Sequence, residues 1–281
     1  MKKKFNAGFT GLMLSLLIIA PSVSNGQSEK AVIKKYLSEL PDHQTGKTIQ
    51  KYKMTAVYTN RDLYGNFTGK TRISGDYTRG LPGDSAMWND VYISNSNNFS
   101  DPFPAGTKQE YMEKMKYVPS SKMLDKGSFK NFPVKTESIF AKNLVWDMIA
   151  IEEFAWKYTD SLRLNRYFII RPKSASIDMG GVGKYSHDNI QIRWTGISEI
   201  NNELCAIIEY RAVDNLLEIN MDQIKGKGTE QYWGTTWVSL KSGLIEYADT
   251  YSGTIQEIQV KGMDNKFLVK TIREIKVDKI Q

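Results

Sequence analysis

Residues Tyr232–Tyr251 read YWGTTWVSLKSGLIEYADTY, two alternating runs that meet at Lys241-Ser242-Gly243. A three-residue hairpin loop with a left-handed last position suits that triplet, because glycine adopts positive φ without a Cβ clash. In this register Leu240 faces Leu244, Trp237 faces Tyr247, Thr235 faces Asp249 and Trp233 faces Tyr251. Side chains alternate along a strand. Trp233, Thr235, Trp237, Ile245, Tyr247, Asp249 and Tyr251 therefore share one face, and Gly234, Thr236, Val238, Glu246 and Ala248 the other. A two-residue loop would shift the pairing by one and dissolve the aromatic ladder. The second face, with its glycine, threonine and glutamate, is the poorer core. The ring-bearing face then either packs beneath helices or contacts a ligand. The residues expected at a ligand are Trp233, Thr235, Trp237, Tyr247, Asp249 and Tyr251, with rings stacking on a sugar or lining an apolar pocket while the polar groups set orientation.

The same alternation extends on both sides of the hairpin. RYFIIR, NIQIRWTGI, ELCAIIEYRAV, QYWGTTWVSL, LIEYADTY, TIQEIQV and FLVKTIREIKV are strand-like runs separated by turn residues. The connections SEINN, KSG, SG and KGMDN are too short for a crossover helix, so these strands are antiparallel neighbours. Nearer the N-terminus, two runs around DLYGN make a hairpin and SAMWNDVYIS a third strand. Asn95–Gln109 reads as a long loop. Between the strand groups, QEYMEKMKYV and AKNLVWDMIAIEEFAWKYTDSL have helical spacing. The expected fold is α+β: one large, curved antiparallel sheet with a helical segment of about residues 109–163 on one face.

The first residues, MKKKFNAGFTGLMLSLLIIAPSVSNGQ, place three lysines before a short apolar run and then small residues. That order predicts a signal peptide over residues 1–26 and a single domain over 27–281, opening on a helix capped by Ser28 and stopped by Pro41. The apolar run is about half the ~20 residues a membrane span needs, and no cysteine offers a lipid attachment point nearby. The expected mature chain is exported and soluble, periplasmic or extracellular, with no integral membrane segment. Loss of Lys2, Lys3 and Lys4 lowers the formal charge from +7 to +4. The remaining bases alternate with acids, which argues against a nucleic-acid partner. Cys205 is the only cysteine, so a packed core replaces disulfides. In ELCAIIEY it reads as a buried, inert thiol.

Catalytic signatures are sparse. In NLVWDMIAIEEFAWKY, Leu144, Met148, Ile151, Ala155, Tyr158 and Leu162 form a core stripe. Asn143 is the expected cap, Glu153 pairs with Lys157 at the surface, and Glu152 falls in solvent. Asp147 lies between Leu144, Ile151 and Phe154, where an acid is either structural polarity or a proton-transfer group. His43 and His187 lack ligand-spaced His or Cys partners, although Asp42 and Asp188 adjoin them. GxSxG is absent. GGVGKY, Gly180–Tyr185, departs from a phosphate loop at both ends and reads as a flexible turn. No feature assigns a cofactor, a metal or an oligomeric state.

In its order of elements (signal peptide, short helix, antiparallel strands, helical lid) the chain resembles the half-barrel lipoprotein carriers of the periplasm. That resemblance implies a non-catalytic envelope protein enclosing an acyl chain or lipoprotein tail. The alternatives are a secreted glycan binder using the aromatic face, a hydrolase built on Asp147, Glu152, Glu153 and Asp249, and an interaction-only protein. The ligand expected is a lipid or a glycan.

Overall fold

The computed structural model describes residues 35, 40, 48–133, 137–171, 176–187 and 189–280. The expected signal peptide, the pair Asp42 and His43, and all of the expected first helix except Lys35 and Leu40 lie outside these. The chain enters the sheet through β1 (Gln50–Arg61), β2 (Phe67–Leu81) and β3 (Ser85–Ser96), followed by the short β4 (Thr107–Lys108) and β5 (Met115–Tyr117). Helix α1 (Ser138–Trp156) comes next, then short strands β6 (Phe168–Ile170), β7 (Ile177–Asp178) and β8 (Gly183–Ser186). Five long strands finish the chain: β9 (Ile190–Ile200), β10 (Glu203–Asn220), β11 (Ile224–Ser239), β12 (Ile245–Val260) and β13 (Lys266–Ile280).

All these strands join one open sheet in the order β4-β3-β2-β1-β13-β12-β11-β10-β8-β7, with β5 on β3, β9 on β10 and β6 on β9. Every strand pairing is antiparallel. Two meanders, β1–β3 and β10–β13, are sewn together where the first strand meets the last, Ala56 opposite Ile275. Turn chemistry sets the hairpins. Asn201 and Asn202 both take positive φ between β9 and β10, and Gly243 takes φ 71° between β11 and β12.

The aromatic hairpin has the expected register: Trp233 opposite Tyr251, Thr235 opposite Asp249 and Trp237 opposite Tyr247. Its orientation is the reverse of the expectation. Thr236, Val238, Ala248 and Thr250 are buried toward α1, and Trp233 is 49% exposed on the outer face. The reason is volume. Helix α1 and β10 supply the bulk: the Phe154 and Tyr210 rings lie 4.3 Å apart. Tyr210 lies over Gly234, where an added Cβ would come 2.6 Å from its hydroxyl. Small residues on β11 and β12 leave room for those rings. Ile245 also changes face, because a bulge between Trp237 and Val238 brings it inward opposite Val238.

Three further expectations are corrected. The helical segment contracts to Ser138–Trp156; Glu110–Met112 is one 3₁₀ turn and Met115–Tyr117 is a strand on β3. A segment this short cannot offset helix nucleation, whereas the edge of β3 offers backbone partners. Ser252-Gly253 is no turn, because β11 and β13 pair with β12 straight through it. The GGVGKY stretch turns at Gly180 and Gly181 and then becomes β8, pairing with β10. The Asn95–Gln109 segment is irregular at its centre, as expected. It is held down by Lys70, which donates to the carbonyls of Phe99 and Asp101 and lies 4.8 Å from the Phe103 ring centre.

Candidate ligand cavity between sheet and helix

Buried residues on α1 recur at three- and four-residue steps: Ala141, Leu144, Val145, Met148, Ile151, Glu152 and Ala155. That stripe faces the sheet, and two indoles fix the helix, one at its middle and one at its last residue. Trp146 donates to the carbonyl of Met123 at 2.9 Å, and Trp156 to that of Gly243 at 2.9 Å. Asn143 is not the cap; it lies inside the helix and donates to the Tyr58 hydroxyl at 3.1 Å.

The helix does not fill the space over the sheet. A cavity of about 1780 Å³ remains, walled by Phe140, Ile149 and Ala150 of α1, by Ile169 and Ile170 of β6, and by sheet residues such as Ile258 and Val269. Ligand pockets for drug-sized molecules are typically ~300–1,000 Å³, so this volume accommodates a larger guest. Most of the wall is apolar.

Charged groups enter the wall as bound sets. Arg273 on β13 holds Asp147 of α1 at 3.2 Å and Glu230 of β11 at 3.5 Å, and its Nε donates to the Ser252 hydroxyl at 3.2 Å. Burial pushes the Asp147 carboxyl up to about 6 against the pull of Arg273, with Glu230 adding to the rise. Burial opposes the Arg273 charge, but Asp147, Tyr58 and Glu230 overcome it and raise its pKa. The second set joins Glu152 to Arg79 of β2 at 3.4 Å and to the Tyr77 hydroxyl, which donates at 2.7 Å. Burial raises Glu152 to about 7 against both partners. Glu152 is thus buried, contrary to the solvated position expected for it: its partner comes from β2, distant in sequence. Glu153 pairs with Lys157 as expected and accepts from Tyr158.

The four carboxylates considered for hydrolysis are dispersed. Asp147, Glu152 and Glu153 each serve a different basic partner, and Asp249 shares the outer face with Trp233. His187 lines the cavity beside Tyr185, and Asp188 lies outside the described residues. Cys205 is buried, and burial pushes its thiol up to about 12. Among the described residues, no group of three His, Cys, Asp or Glu could hold a metal ion, and no helix is long and apolar enough to cross a membrane.

None of the six residues expected at a ligand lines this cavity. Trp233, Thr235, Trp237, Tyr247, Asp249 and Tyr251 form an outer ladder, with Trp233 stacked on Tyr251 at 6.0 Å and 19°. Sequence reading missed Arg273 and Glu230. The signal lay in strand parity: counting inward from Gly234 places Tyr232 and Glu230 on the covered face, and Arg273 lies opposite Ser252 there.

Fold and cavity together define an open antiparallel sheet with one helix laid over an apolar hollow. No family model matches the sequence, and no curated protein matches it. Among solved structures the chain is similar to one described as lipid–protein interactions in lipovitellin, with 13% identity and a TM-score of 0.44. The match covers 85% of this chain and 26% of that chain, so this chain spans about a quarter of it. It is also similar to a DUF1329 family protein from Desulfovibrio piger, with 10% identity and a TM-score of 0.15 over 90% of each chain. At these scores neither neighbour's function transfers.

Proposed function

We propose that this chain is an exported, non-catalytic envelope protein that holds an apolar or amphipathic ligand between a curved sheet and α1. One observation carries the reading: the apolar hollow of about 1780 Å³ under the helix. Apolar surface left in water is unfavourable by ~25 cal/mol per Å², and a guest chain relieves that along the whole wall. The test is titration with an environment-sensitive apolar fluorophore. Saturable binding is expected, and Ala150→Trp, which places an indole in the hollow from α1, should weaken it by about tenfold or more. No saturable binding, or equal binding by the variant, contradicts the reading.

The outer ladder favours a second reading, a glycan contact. Trp233 is half exposed and stacked on Tyr251, with Thr235 and Asp249 beside them on the same face. A pyranose would lie on the rings and donate hydroxyls to Asp249. Glycan-array binding that Trp233→Ala abolishes supports it, and an array without hits removes it.

A further inference from the structure

We infer that the cavity carries a head-group subsite for a protonated amine, formed by Asp147, Glu230 and Gln256. This rests on the reading of the hollow as an amphiphile site and names the class of amphiphile. Three observations lead to it.

The first is charge. Asp147 and Glu230 meet a single guanidinium, so this part of the wall has one carboxylate in excess. The other charges on the wall balance elsewhere: Glu152 with Arg79 and Glu153 with Lys157, with Arg171 exposed to solvent. An uncompensated carboxylate is strongly disfavoured in apolar surroundings until a cation or several donors reach it.

The second is hydrogen-bond direction. Arg273 aims Nε at Ser252, Nη1 at Asp147 and Nη2 at Glu230. Nε and Nη1 are thus hydrogen-bonded to protein acceptors, and Nη2 faces the Glu230 carboxylate, whose charge opposes an anionic head. Asp147 meets Arg273 through Oδ2 and Glu230 through Oε1. The Tyr185 hydroxyl also adjoins Glu230, a neutral donor that leaves the excess negative charge in place.

The third is independent of both carboxylates. Gln256 lines the cavity, and its Oε1 is buried with no hydrogen-bond partner among the described residues. Strand pairing sets Glu230 opposite Thr254, and Gln256 follows two residues later on the same face. The carboxamide is therefore a diagonal neighbour of Glu230. A buried acceptor left unpaired costs ~1–3 kcal/mol, so a further donor is favoured beside Gln256. A primary ammonium has three N–H donors, no acceptor and a positive charge. It complements the acceptors of Asp147, Glu230 and Gln256, while its alkyl chain follows the apolar wall toward Ile258 and Val269.

The experiment is calorimetric titration of the purified chain with an alkylamine, an alkanol and an alkyl sulfate of equal chain length, each below its micelle concentration. The amine should bind on the order of tenfold more tightly than the alkanol, as a charge-assisted hydrogen bond implies, and the sulfate more weakly than either. Glu230→Gln leaves Arg273 and Asp147 as a neutral pair and should bring amine and alkanol together without loss of fold. Gln256→Leu should narrow the same gap by a route that leaves every charge in place. Equal affinity for the three heads, or preference for the sulfate, overturns the subsite and leaves the apolar cavity standing. Failure of all three probes to bind overturns both.

Discussion

Arg79 of β2 and Glu152 of α1 face each other at 3.4 Å inside the protein, a pair built like Arg273 of β13 with Asp147, which lies on the same helix as Glu152. Each pair ties α1 to a different strand. Both carboxylates lie in surroundings dry enough that burial outweighs the guanidinium, and their pKa values rise to about 7 for Glu152 and about 6 for Asp147.

Stability should therefore fall as pH rises across that window. Between the ordinary carboxylate values near 4 and the raised values of 6 and 7, the native state holds more protons than the unfolded state, so unfolding free energy decreases with pH, by up to about 1.4 kcal/mol per unit and group. Thermal melts from pH 4 to 8 at constant ionic strength would compare the parent with Asp147→Asn/Glu152→Gln. The parent should lose stability relative to the double variant as pH rises. Parallel curves would show that neither acid is perturbed.

Arg273→Met leaves Asp147 and Glu230 without their cation. Removing one partner of a buried ion pair costs roughly 3–5 kcal/mol, and urea denaturation should show a loss of that size. Adding Asp147→Asn and Glu230→Gln to the same chain should recover much of it. A loss that persists in the triple variant would mean that Arg273 acts by packing.

Gly234→Ala tests which face of the hairpin is covered. A Cβ there meets the Asp249 carbonyl at 2.5 Å and the Tyr210 hydroxyl at 2.6 Å, whereas one at Gly253 meets nothing within 4 Å. Overpacking costs ~1–3 kcal/mol. Gly253→Ala should change stability by less than about 0.5 kcal/mol. Equal effects would contradict the close approach of Tyr210.

Trp233→Ala separates the two sheet faces functionally. The indole is half exposed and lies outside the cavity. Affinity for an apolar fluorophore should stay unchanged in this variant, while Ala150→Trp weakens it. A shared loss would place the probe on the outer ladder.

The hairpin register was legible in the sequence because it depends on local chemistry: Gly243 supplies the left-handed turn and alternation does the rest. The inward face was not, because it depends on what covers it. Gly234 and Ala248 look like a weak core until Tyr210 and Phe154 are seen to occupy their side. The helix stripe was legible from spacing, but the fate of Glu152 was not, since Arg79 and Tyr77 arrive from a strand more than seventy residues earlier. Likewise, Ser252-Gly253 has the composition of a turn, and only the two long neighbours that pair through it keep the backbone extended. Arg273, Glu230 and Gln256 carried an overlooked signal: charged and polar residues at inward parity in apolar strands.

The central claim is that the hollow under α1 holds an amphiphile. Native mass spectrometry of the chain purified from its own host, followed by lipid extraction, tests it most directly. A reproducible adduct whose extracted mass belongs to an amine-bearing lipid, lost in Ala150→Trp and retained in Trp233→Ala, is the predicted result. A bare polypeptide mass from gentle purification, or an adduct that survives Ala150→Trp, would contradict it.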